Sequence, residues 1–92
     1  MPYIPEHDRK DYTDILNELK SKLHNVGELN FFITSVVHTF LKQKGASYKT
    51  FNDIIGVLEC AKLEMYRRRV SPYEDKKIDE NGDVGFDEKL SS

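Results

Sequence analysis

The densest chemistry in this chain lies between Tyr66 and Asp83. It reads Tyr66-Arg67-Arg68-Arg69-Val70-Ser71-Pro72-Tyr73-Glu74-Asp75-Lys76-Lys77, then Glu80-Asn81-Gly82-Asp83. Guanidinium groups present planar, forked donors that suit carboxylates and phosphates, and tyrosine rings stack on other planar groups. One reading is a ligand- or partner-binding site built from Arg67, Arg68, Arg69 and Lys76, with Tyr66 or Tyr73 stacking on a ring of the ligand. The other is an intramolecular latch. Successive helical residues turn by about 100°, so three consecutive arginines cannot all face one way. At least one turns back and needs a carboxylate, with Glu74, Asp75 and Asp83 as the candidates. Seven acidic residues against three basic ones in 71–92 would repel an anion, which favours the latch.

Other reactive side chains are sparse. His7, His24 and His38 have no metal-ligand spacing between them, and Cys60 stands alone. Cys60 reads as a small buried hydrophobe, and Gly56, four residues earlier, as a point where a neighbouring helix or a ligand approaches closely. The run Asp79-Glu80-Asn81-Gly82-Asp83-Val84-Gly85 partly matches a calcium loop, but Val84 stands where the turn glycine belongs and Leu90 where the bidentate glutamate belongs. An Asn-Gly helix stop explains the same letters. No catalytic residue, metal site or cofactor is expected.

The elements that carry these residues are helical. Tyr12, Ile15, Leu16, Leu19 and Leu23 recur at steps of three and four and predict a helix from about His7 to His24. Asn25 and Glu28 have the spacing of a capping box at the start of a second helix. Its apolar residues are Leu29, Phe32, Ile33, Val36, Val37, Phe40 and Leu41, and Gly45 is its stop. A third helix is expected from Ser47 to about Arg69, with Phe51, Ile54, Ile55, Leu58 and Met65 as its stripe. Val57, Cys60 and Ala61 widen that stripe. Ser71, Pro72 and Glu74 read as the start of a short fourth helix reaching about Glu80. The expected fold is all-α: three amphipathic helices in an antiparallel bundle, a short C-terminal fourth helix and an acidic tail. The single helical domain spans 1–82, and 83–92 form a flexible or surface-docked tail.

Composition sets the outer bounds. Ninety-two residues make one small domain with a marginal core, for which self-association as a homodimer or higher oligomer is a common remedy. Net charge is −2, which argues against generic DNA binding. The balance hides a gradient: residues 47–70 carry five basic and three acidic side chains, and the acidic segment follows at once. No stretch approaches the ~20 apolar residues of a membrane span, and a single cysteine points to a reducing compartment.

The segments Gly56-Val57-Leu58-Glu59-Cys60, Glu64-Met65-Tyr66-Arg67-Arg68, Pro72-Tyr73-Glu74-Asp75, Lys77 and Glu80-Asn81-Gly82-Asp83-Val84 carry a resemblance. So do Met1-Pro2-Tyr3-Ile4, Arg9 and Leu29-Asn30-Phe31. Together they resemble an uncharacterised family of small proteins of tailed bacteriophages and prophages, a domain of unknown function. The resemblance implies the cytoplasm of a bacterial host and no particular reaction. The expected role is therefore a small non-enzymatic interaction protein that binds a host or phage macromolecule. The rival is a binder that sequesters a nucleotide or phosphorylated signal through the Arg67–Arg69 region.

Overall fold

A computed structural model describes residues 3–85. Every regular element among them is helical: a 3₁₀ segment Glu6–Tyr12, then α1 (Thr13–Leu19), α2 (Val26–Lys44), α3 (Tyr48–Met65), a π turn Tyr66–Val70 and α4 (Ser71–Asn81). The chain divides after Ile54 into two compact units.

In the first unit the expected opening helix is shorter and tighter at its start. Residues 6–11 are all polar or charged, so no apolar side chain holds that turn in α geometry. The segment winds as 3₁₀ instead, with the Asp8 amide donating to the Pro5 carbonyl at 3.0 Å. Arg9 Nε donates to the Ile4 carbonyl at 3.2 Å and pins the entry. After α1, the amides of Ser21 and Lys22 donate to carbonyls three residues back, those of Glu18 and Leu19.

The boundaries of α2 are as the residues dictate. Asn25 Oδ1 accepts from the Glu28 amide at 2.8 Å, and Glu28 Oε1 accepts from the Asn25 amide at 3.1 Å and the His24 amide at 2.9 Å. Two of the free donors of a helix start are thereby satisfied reciprocally. At the other end Gly45 adopts φ 85°, a left-handed value that a side chain would strain, and its amide closes on Leu41 at 2.8 Å. Ser47 Oγ then accepts from the Thr50 amide at 3.1 Å and starts α3.

In the second unit the backbone does not break where a fresh helix is expected. Ser71 has φ −60° and ψ −47°, and no side chain caps α4. The Ser71 amide donates to the Tyr66 carbonyl, five residues back, which widens one turn. Pro72 lacks the amide that would bond the Arg68 carbonyl four residues back, and the wider turn lets the helix pass it without a stop. Met65 and Val70 are five apart, about 140° round a uniform α-helix; one extra residue in the turn brings them near one face. α4 ends at Gly82, φ 82°.

Helical content is as expected, but a packed bundle core is not seen among the described residues. No apolar side chain there is buried; the only buried side chain is Thr50, 8% exposed, at the start of α3. Of the tail, only residues 83–85 are described.

Candidate functional site

The three arginines sit at the π turn. Arg67 Nη2 donates to Glu64 Oε1 at 2.5 Å, and Arg68 Nε lies 3.6 Å from the same oxygen. The Glu64 side chain is only 17% exposed, whereas those of Arg67 and Arg68 are 73% and 62% exposed. The carboxylate is thus screened beneath two solvated guanidiniums, one helical turn before them. Arg69 has no ion pair among the described residues.

The expected latch partners lie elsewhere. Glu74 and Asp75 have no ion pair among the described residues, and Asp83 accepts from the Val84 amide at 2.7 Å. The reason is the uninterrupted helix. Glu74 lies seven residues beyond Arg67, about 10 Å along the axis at 1.5 Å per residue, with no reversal to bring it back. Tyr66 and Tyr73 remain exposed. Lys77 Nζ lies 5.5 Å from the centroid of the Tyr73 ring and 3.4 Å from Glu80 Oε1. The six residues proposed as a binding set therefore lie along one helix.

Apolar surface is the second feature, and α2 carries its most regular part. Leu29, Ile33, Val36 and Phe40 are 42–50% exposed, and Val26 at the head of the same row is 84% exposed. Shallow grooves flank the row, one lined by Phe32, Ser35, Val36, Thr39, Phe40 and Gln43, the other by Val26, Leu29, Asn30 and Ile33. A third groove occupies the elbow between α1 and α2 and includes Leu19, Leu23, Phe31 and Phe32. Phe31, 74% exposed, faces away from the row. Periodicity finds the row but misses Phe31. The signal that finds it is charge: residues 29–41 contain no Asp, Glu, Lys or Arg, in a chain that is 33% charged.

Two further expectations are corrected. Cys60 is exposed, not buried. Gly56 has open space where a side chain would begin, with no atom of the described residues within 4 Å, so the close approach expected there is not seen among them. Asp79, Glu80 and Asn81 belong to the last turn of α4 rather than to a loop, so the calcium-loop reading loses its geometry. Among the described residues no helix is long and apolar enough to cross a membrane.

The sequence profile of the family described as "Domain of unknown function (DUF6899)" matches residues 1–84. No curated protein and no solved structure matches the chain.

Proposed function

The chain belongs to the DUF6899 family, whose description names no activity, and from its own residues we propose a small non-enzymatic interaction protein that binds a macromolecule through its apolar helical faces. The observation that carries this reading is the exposure of those faces: no apolar side chain among the described residues is buried. Soluble chains rarely leave contiguous apolar surface to water. Covering one Leu, Ile, Val or Phe side chain is worth roughly 1.5–3 kcal/mol. In the assembled state we read the helices as an antiparallel bundle, with residues 1–82 as one domain and the acidic tail outside it. The resemblance to tailed-phage proteins gives the setting we infer, a bacterial host cytoplasm with a host or phage partner.

The elbow groove around Phe31 and the α3 face around Ile55, 65% exposed, are the surfaces we assign to that partner. Cross-linking of the tagged full chain in a bacterial host should give one dominant adduct. We expect Phe31→Ala with Ile55→Ala to lose it and Arg67→Ala with Arg68→Ala to keep it. The opposite pattern would move the function to the arginines.

A second reading is favoured by one observation: Arg67 and Arg68 keep most of their surface in solvent despite Glu64, and Arg69 is unpaired among the described residues. Those groups, with Tyr66, Tyr73 and Lys76, are available to a nucleotide or a phosphorylated signal. Thermal unfolding in millimolar nucleotides and cyclic nucleotides tests it. A rise in Tm that Arg68→Ala abolishes supports the ligand, and no rise with any of them removes it.

A further inference from the structure

We propose that the π turn Tyr66–Val70 holds a seat for the terminal phosphate of a small phosphomonoester, and that the Glu64 carboxylate fills this seat as an internal competitor. The proposal rests on the second reading above and adds the class of ligand and the group that opposes its entry. Arg67 Nη2 and Arg68 Nε lie 2.5 and 3.6 Å from one and the same oxygen, Glu64 Oε1. The two nitrogens are therefore no more than about 6 Å apart, a span that one tetrahedral anion bridges with a charge-assisted hydrogen bond of about 2.7–2.9 Å on each side. Only the Arg67 contact is a hydrogen bond. At 3.6 Å Arg68 supplies charge without one, and its fork of donors stays in solvent.

The backbone supports the same seat. In a uniform α-helix three successive side chains fan over about 200°. A turn closed five residues back, as the Ser71 amide closes on Tyr66, holds more residues in each revolution and narrows that fan. Arg67, Arg68 and Arg69 all fall inside the widened turn. The attachment point of Arg69, which has no ion pair among the described residues, thereby swings towards the side that Glu64 marks. Chemistry then selects the ligand. Glu64 sets one negative charge against three guanidiniums. A phosphomonoester carries about −1.5 to −2 at neutral pH and three terminal oxygens, one for each guanidinium. A phosphodiester has a single charge and two free oxygens, and gains nothing over the resident carboxylate. The acids of α4 weigh little here, since Glu74 stands about 10 Å along the axis from Arg67, about one Debye length in physiological salt.

The test is a titration of the full chain, kept reduced because Cys60 is exposed, with the arginine Nε–Hε signals followed by NMR at constant ionic strength. Inorganic phosphate and adenosine 5′-monophosphate should each shift the Arg67 and Arg68 signals to saturation. Adenosine 3′,5′-cyclic monophosphate, a diester, should not. Arg68→Ala should weaken phosphate binding about tenfold or more, as the loss of a hydrogen bond between charged groups does. Glu64→Gln keeps the side-chain length and an acceptor for Arg67 but removes the competing charge. It should tighten phosphate binding about two- to fivefold, the worth of an exposed ion pair. Phosphate binding that Glu64→Gln weakens or leaves unchanged, or a cyclic diester that binds as well as the monoester, would overturn the proposal. If nucleotides still raise the Tm through Arg68 in that case, the internal competitor falls and the second reading stands. Arginine signals that stay unmoved by phosphate and by both nucleotides overturn the two together.

Discussion

At the scale of single residues, the energetics are those of an exposed helical surface. Lys49 Nζ donates to Asp53 Oδ2 at 2.8 Å. That hydrogen bond, and then the carboxylate's charge, raise the Lys49 pKa above the ordinary lysine value. A raised lysine pKa stabilises the folded state fully below the unfolded-state value, and the contribution is lost as pH climbs through the folded value. Asp53→Asn should therefore lower the Lys49 titration midpoint, read from its side-chain NMR shifts, while Lys49 stays protonated near neutral pH, where the small stabilisation from the pair is lost. Asn25→Ala removes an acceptor that no other group replaces. It should cost about 1 kcal/mol, measured by chemical denaturation of the full chain. Glu64→Ala releases Arg67 and Arg68 into water that already solvates them. Its cost should stay below about 1 kcal/mol and shrink with salt; a larger, salt-independent loss would show the cluster to be structural. The Asn25–Glu28 box was legible because a capping box needs only local letters. The partner of the arginines was not, because Glu64 and Glu74 look alike in sequence until it is known whether the chain turns back.

At the scale of elements, propensity and punctuation located α2 and most of α3, and failed at the two ends. Ser71-Pro72 has the signature of a helix start, yet Pro72 also suits a helix whose preceding turn has been widened, and the dihedrals follow the second solution. Pro72→Ala restores the missing donor. We expect it to return Tyr66–Val70 to α geometry and to raise the thermal midpoint, with the Ser71 amide moving from the Tyr66 to the Arg67 carbonyl in a hydrogen-bond NMR experiment. Gly56 gives the complementary case. With open space around it, Gly56→Ala should stabilise α3 by about 1 kcal/mol in the free chain. If the same change instead weakens association, a second molecule's backbone occupies that space. The opening segment reads as one helix because its apolar spacing is helical from Tyr12 onward. Nothing in Glu6–Asp11 has a face to bury, and a polar run without a face carries no signal for α over 3₁₀.

For the whole molecule, the helix content was legible and its packing was not. An amphipathic stripe states that a face will be covered without stating by what. Five stripe positions of α2 read equally well as an intramolecular core or as an intermolecular one. If association covers them, the thermal midpoint should rise with protein concentration, and a flat midpoint over a hundredfold range would count against it. The uncharged stretch of α2 also leaves a protease fingerprint. Trypsin finds no lysine or arginine between Lys22 and Lys42, so this segment leaves a tryptic digest as one peptide, Leu23–Lys42, while chymotrypsin has Phe31, Phe32 and Phe40 within it. Phe40 lies on the apolar row of α2 and Phe31 on the opposite side of the helix, so the ratio of cutting at these two rings becomes a built-in gauge of which side of α2 is shielded.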